Sequence, residues 1–357
     1  MKWIKKVAKM PLFLPIFSML LVLVINVIYD VANGNVFYNF FKLSITNGIL
    51  YGRLIDVINR GSEAAILALG MTLVVSASAG TDISVGSVMS LAGGMCCMLL
   101  AGFGNANVSQ YAVPLWVGIA AGIAVACLCG AFNGFLVSYM NIQPMVATLI
   151  LFSAGRAIGL LLCNSSIVYI RVPSFQFFGG YWGILPTPIV ITAGCIAILA
   201  IVLKTTALGT YVKSVGINKN AARLAGYQSK AIIFTTFVIC GLCAGIAGIV
   251  ATSRIYSADT NNIGLSLELD AILAVALGGN SLGGGKFRLS GSIIGAYTIQ
   301  AITTTMYALG VSSAQAPVFK ALIVILIVMI QSPVVRTYFN RHAAQRAARL
   351  PKEVVGG

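Results

Sequence analysis

Residues 188–253 read PIVITAGCIAILAIVL, then KTTALGTYVKSVGINKNAARLAGYQSK, then AIIFTTFVICGLCAGIAGIVATS. Two apolar runs flank a polar island that carries Lys204, Lys213, Lys219, Arg223 and Lys230 and no acid. A bilayer-crossing helix needs ~20 predominantly apolar residues, within a range of ~17–25, and lipid forces every backbone N–H and C=O in such a run into intra-segment hydrogen bonds. The pattern therefore predicts span, cytoplasmic-type basic loop, span, and with it an all-α, polytopic membrane bundle. Inside the island Asn218 can cap a short helix, Lys219 to Ala225, because its side chain accepts an orphan backbone N–H. Gly226 can end that helix, since glycine adopts the left-handed stop without penalty.

The rest of the chain agrees. It is 357 residues long, 59% hydrophobic and 9% charged, with mean hydropathy +0.95. Soluble domains carry about 25% charged residues, so this composition calls for lipid as solvent. The net charge of +15 is spread over loops and tails between apolar runs, which sets membrane orientation and argues against nucleic acid as a partner. The eight cysteines fall almost wholly inside apolar runs. Cys240-Gly-Leu-Cys243 has redox spacing, but it is embedded mid-helix and the lone histidine, His342, is in the tail; small apolar packing residues are the expectation.

Ten spans are expected: Leu12–Tyr29, Ala64–Ala79, Ile83–Phe103, Val113–Met140, Pro144–Cys163, Pro188–Leu203, Ala231–Ser253, Leu267–Leu277, Leu289–Leu309 and Val318–Ile330. The fourth is long and open to a break near Asn133-Gly134. The first follows a Lys-rich start, is long enough to cross, and reads as a retained helix, not a cleaved signal. Most Lys and Arg fall in the N-terminal residues, the island, Lys286, Arg288 and the C-terminal tail, while Asp30, Asp56, Glu63 and Asp259 fall on the other side. The positive-inside rule then places both termini and the island in the cytoplasm. Glycines four apart, at 118/122, 130/134, 155/159, 241/245 and 291/295, permit close helix approach; a glycine-lined path is the bolder reading of the same pairs.

Three polar breaks interrupt the apolar runs. Ala79–Ser87 holds Gly80, Thr81, Asp82, Ser84 and Ser87; irregular backbone at that depth must be buried in protein or line a wet cavity. Asp82 and Ser84 are candidates for the translocation path or for a helix cap, and Asn133 is a further path candidate. Glu268 and Asp270 open the eighth span. They suit either the dipole of their own helix or a broken helix beside the path. Arg156 stands alone in the fifth span, where snorkelling or backbone carbonyls would satisfy it. Glu63-AAILALG and Asp270-AILAVALGG echo one another faintly. The glycine run 278–285 departs from a Walker A site, because Phe287 follows Lys286, and no catalytic constellation is visible.

Taken together, LALGMTLVVSASAGTDISVGSVMSLAGG (Leu67–Gly94), GAFNGFLV (Gly130–Val137), IQPMVATLILFSAGR (Ile142–Arg156), TALGTYVKSVGINKNAARLAGYQSK (Thr206–Lys230), CGLCAGIAG (Cys240–Gly248) and NNIGLSLELDAILAVALGGNSLGGGKF (Asn261–Phe287) resemble the permeases of the ribose/galactose-type branch of ABC sugar importers, galactofuranose-type permeases most of all. Ala79 departs from the family's usual second glycine before the acid motif. The resemblance implies a single transmembrane permease domain over 1–357, of type II ABC importer-like fold, in the bacterial inner membrane. Residues 1–11 and the basic tail 334–357 are then cytoplasmic. It also implies a second permease subunit, identical or paralogous, and a periplasmic sugar-binding protein. A cytoplasmic ABC ATPase subunit would hold ATP-Mg, with no cofactor on this chain. The island 204–230 becomes the coupling loop, with Gly216, Asn218, Lys219, Ala221, Ala222, Arg223 and Gly226 as coupling positions. An ion-coupled secondary transporter using Asp82, Glu268 and Asp270 is the competing expectation, and a membrane enzyme or scaffold a third.

Overall fold

The computed structural model describes residues 12–32, 39–46, 48–312 and 314–331; the expectations for residues 1–11 and for the tail 334–357 lie outside them. In chain order the elements are α1 (Phe13–Ala32), a 3-10 turn (Asn39–Phe41), the hairpin β1 (Ser44–Thr46) and β2 (Ile49–Tyr51), α2 (Arg53–Ser78), α3 (Val85–Ala101), β3 (Asn107–Val108), α4 (Leu115–Ser138) and α5 (Pro144–Leu162). There follow β4 (Val168–Ile170), α6 (Pro173–Gln176), the hairpin β5 (Tyr181–Trp182) and β6 (Leu185–Pro186), and α7 (Thr187–Thr205). The island contributes α8 (Leu208–Ile217) and α9 (Lys219–Leu224). The chain continues through α10 (Ser229–Ile255), β7 (Ser257–Ala258), α11 (Leu267–Leu277), α12 (Leu289–Ala308) and α13 (Ala316–Gln331). Every one of the ten expected spans is a helix. Residues 15–32, α2, α4, α5, α7 and α10 are each long and apolar enough to cross a bilayer.

Three boundaries differ from expectation, each for a physical reason. Helix α2 starts at Arg53, well before Ala64, so Asp56, Arg60 and Glu63 lie within it and not in an outer loop. Two of its charges are paired and two are exposed: Arg254 Nη2 lies 3.3 Å from Glu63 Oε1 and donates to Asn59 O at 2.8 Å, Arg53 pairs with Asp30 at 2.8 Å, and Asp56 and Arg60 are exposed. Helix α4 runs unbroken through Asn133-Gly134, because the Asn133 side chain bonds across to Ser84 and leaves its own backbone ladder alone. The island holds a second helix, α8, where the sequence suggested only the short one.

The described residues form two compact units, divided between Thr305 and Met306. In the first, α10 is the central post, packed by α4, α2 and α3, with Ile66, Leu69, Met71, Leu73, Met89 and Phe237 in its core. Helix α2 is buried along nearly its whole length, whereas α4, α5 and α7 bury only a strip and turn apolar side chains outward, as helices against lipid do. The glycine pairs are filled by neighbouring backbone or side-chain atoms. A Cβ on Gly130 would stand 2.4 Å from Phe237 O, and one on Gly241 2.4 Å from Ala126 O, so α4 and α10 meet glycine to glycine. Gly248 seats on Met89 O of α3 and Gly295 on Ala274 O of α11 in the same way.

At one end of the bundle β3, β4 and β7 form a three-stranded sheet in the order β3-β4-β7. It stitches together the connections that follow α3, α5 and α10. The island lies at the other end of α10. The second unit contains the end of α12, a turn at Gly310 (φ 78) and α13.

Candidate functional site

The three polar breaks, scattered in sequence, converge on the first turn of α3. Asp82 is buried, and its Oδ1 accepts from the Ser84 backbone N–H at 2.9 Å and from Ser84 Oγ at 2.7 Å. Asn133 Nδ2 of α4 donates to the same Ser84 Oγ at 2.8 Å, and Thr148 Oγ1 of α5 accepts from the Ile83 backbone N–H at 3.1 Å. Asp82 thus organises the turn that starts α3, in the manner of an Asx turn, and the side chains of three helices and one loop close around it.

Glu268 comes from the other direction. It is 4% exposed, in the first turn of α11, and its Oε2 would lie 2.1 Å from a Cβ on Gly86; only glycine leaves room for the carboxylate there. Gly264 (φ 72) seats on Gly86 O just as tightly. The N-terminal turns of α3 and α11 therefore abut, and Glu268 serves both dipoles at once. Helix α11 spans 11 residues, about half a bilayer at 1.5 Å per residue, so it is a half-helix entered by a dipping loop, 259–266. Arg156 of α5 holds that loop: its Nη1 donates to the carbonyls of Thr260, Asn261 and Ile263 at 3.0, 2.7 and 3.1 Å. The arginine spends its Nη1 on backbone oxygens of this loop. Ser90 Oγ adds a bond to Thr260 O at 2.8 Å.

Four of the five path candidates, Asp82, Ser84, Asn133 and Glu268, thus fall into one assembly, and Asp270 is buried two residues further along α11. Two buried oxygens in it, Asn133 Oδ1 and Glu268 Oε2, have no hydrogen-bond partner. The echo between Glu63 and Asp270 does not extend to their places: Glu63 is ion-paired in mid-helix, and Asp270 sits in a first turn.

The island is built differently. Asn218 caps α9 as expected, its Oδ1 accepting from the backbone N–H groups of Asn220 and Ala221, each at 3.0 Å, and Gly226 follows at φ 85. Asn218, Lys219, Ala221, Arg223 and Gly226 are exposed. Ala222 is not: it is 4% exposed and belongs to the core, so it offers no surface for docking. The most exposed large apolar side chain of the island is Leu224, at 90% exposure, which the sequence pattern alone did not single out. It could have been found as the one large apolar side chain on the solvated face of a capped helix. Gly216 also faces inward. A Cβ there would lie 1.7 Å from Ser76 O and 2.6 Å from Gly285 N, and Gly285 N–H donates to that same Ser76 O at 3.0 Å. Lys213 Nζ lies 5.4 Å from the centre of the Phe287 ring. The island, the end of α2 and the glycine loop 278–285 are thereby clamped backbone to backbone. Beneath the clamp a cavity of about 330 Å³ is lined by Ser78, Asn141, Gln143 and Lys219 among others.

Six helices among the described residues, long and apolar enough to cross a bilayer, make this a polytopic membrane protein, and its family makes it a permease. The chain belongs to the family described as branched-chain amino acid transport system / permease component, whose profile matches residues 53–331. It is 41% identical over 295 residues to the galactofuranose transporter permease protein YtfT of Escherichia coli K12, covering 82% of this chain and 84% of that one. It is 34% identical over 360 residues to the fructose import permease protein FruF of Bifidobacterium longum, covering 99% and 96%. It is 33% identical over 299 residues to the ribose import permease protein RbsC of Escherichia coli K12, covering 82% and 87%.

Proposed function

We propose that this chain is the membrane permease of a binding-protein-dependent ABC importer for a monosaccharide, working as one of two permease subunits. A periplasmic protein delivers the sugar, and a separate cytoplasmic ATPase holding ATP-Mg supplies the work. The observation that carries the reading is the near full-length likeness to permeases named for galactofuranose, fructose and ribose. The exposed face of α9 supports it. Leu224 supplies an apolar peg, Ala221 allows close approach, and Lys219 and Arg223 suit an acidic rim. Both termini and the island then face the cytoplasm, and the assembly around Asp82, Ser84, Asn133, Glu268 and Asp270 borders the translocation path.

Reconstitution tests this. Proteoliposomes containing the permease and its ATPase, given the binding protein and a radiolabelled monosaccharide, should accumulate sugar only with hydrolysable ATP inside. Accumulation driven by an ion gradient, with neither ATPase nor binding protein present, would replace the proposal with the ion-coupled mechanism, in which Asp82, Glu268 and Asp270 carry the coupling ion.

A further inference from the structure

At the sheet end of the bundle lies an open cup of about 360 Å³, lined by Tyr169, Arg171, Pro173, Gln176 and Tyr256. Small-ligand sites begin at roughly 300 Å³, so the cup has room for one sugar ring. Its walls are fixed by backbone. The Tyr169 N–H donates to Ala106 O, the Ile170 N–H to Tyr256 O and the Arg171 N–H to Val108 O, each at 2.8 Å. Tyr169 stands opposite Ser257 in the β4–β7 ladder. Tyr256 is held at φ 54, ψ 21, a left-handed conformation that an aromatic residue keeps only where its surroundings impose it. The two rings are therefore placed by the sheet and do not hang from loose loops.

The polar ends are unspent. Among the described residues the side chains of Tyr169, Arg171, Gln176 and Tyr256 make no hydrogen bond or ion pair within the chain. Two phenols, a guanidinium and a primary amide give both donors and acceptors around two aromatic surfaces. That combination matches a neutral polyol: ring faces meet C–H groups while the rim bonds hydroxyls. It suits a phosphate poorly, since phosphate recruits arginine clusters or the start of a longer helix.

We propose that this cup is a carbohydrate subsite that holds a monosaccharide at the mouth of the permease. The inference rests on the import reading. With the island in the cytoplasm, the cup at the far end of α10 opens where the sugar arrives.

The test uses the permease–ATPase complex in nanodiscs, without binding protein, and saturation-transfer NMR with D-galactose, D-ribose and D-fructose. At least one sugar should receive saturation, and the Arg171→Ala/Gln176→Ala double variant, altered only at side chains on the cup's rim, should weaken its apparent affinity about tenfold. No transfer to any of the three overturns the subsite. So does equal transfer in the variant, or displacement of the sugar by inorganic phosphate. ATP-driven uptake by the same protein reconstituted into proteoliposomes, with binding protein supplied, separates the two readings. Uptake with no transfer at the cup removes the subsite and leaves the importer; uptake driven by an ion gradient alone removes the importer whatever the cup does.

Discussion

Adding one methyl group at Gly216 should disconnect the island from the membrane helices. In Gly216→Ala the new Cβ would lie 1.7 Å from Ser76 O, 2.6 Å from Gly285 N and 2.9 Å from Ser76 C. All three are backbone atoms, so no side chain can swing aside; α8 must back away from the end of α2 by more than an ångström. That movement strains the packing and pulls on the Gly285 N–H to Ser76 O bond, 3.0 Å long. Overpacking costs about 1–3 kcal/mol and a buried group left without its partner a similar amount, so the clamped arrangement loses about 2–6 kcal/mol. Gly194 and Gly226 serve as internal comparisons, because a Cβ at either meets nothing within 4 Å. Gly194→Ala should be silent, and Gly226→Ala should show only the left-handed penalty of about 1–2 kcal/mol. The assay is uptake in proteoliposomes alongside ATP hydrolysis. Gly216→Ala should insert and purify normally and lose uptake by at least about tenfold, with hydrolysis no longer following sugar. If it transports like the parent, the clamp does not transmit the stroke.

Three other outcomes follow from local geometry. Ala79 ends α2 in a left-handed conformation, φ 55 and ψ 33, so Ala79→Gly should stabilise the protein by about 1 kcal/mol, read as a raised Tm in detergent; an unchanged or lower Tm contradicts the strain. Asn218→Ala should cost about 1 kcal/mol at the cap, enough to fray a six-residue helix, and should weaken ATPase co-purification, whereas Asn218→Asp keeps an acceptor and should preserve it. Arg254→Met should destabilise by about 3–5 kcal/mol by stranding Glu63, with Glu63→Leu in the same chain recovering much of the loss; a double-mutant cycle measuring no coupling would show the 3.3 Å pair to be incidental.

The spans were legible because lipid imposes a simple rule on sequence. Pro144 and Leu267–Leu277 came through to the residue, one marked by proline at a helix start, the other by acids before and glycine after. The start of α2 was not legible, since Arg60 and Glu63 look like a loop until Arg254, nearly two hundred positions later, is seen beside them. Helix α8 was hidden for a related reason: only Gly209, Val212 and Val215 are buried, too few to mark a face within a polar stretch. At the site, Asn218 and its helix could be read from capping chemistry alone. The inward turn of Ala222 could not, because every alanine in a short helix looks alike until its neighbours are known. Nor could the meeting of Gly86 with Glu268, which joins two segments that are each unremarkable glycine and acid patterns by themselves.

The small sheet β3-β4-β7 constrains how this bundle can move. It laces the ends of α3, α5 and α10 together, so those ends cannot part from one another. An edge held in this way would let the helices of the first unit rock about it, as fingers rock about a knuckle. With α10 some 40 Å long from Ser229 to Ile255, a rotation of a few degrees at the laced edge becomes a displacement of about two to three ångströms at the island, the end with the longest lever.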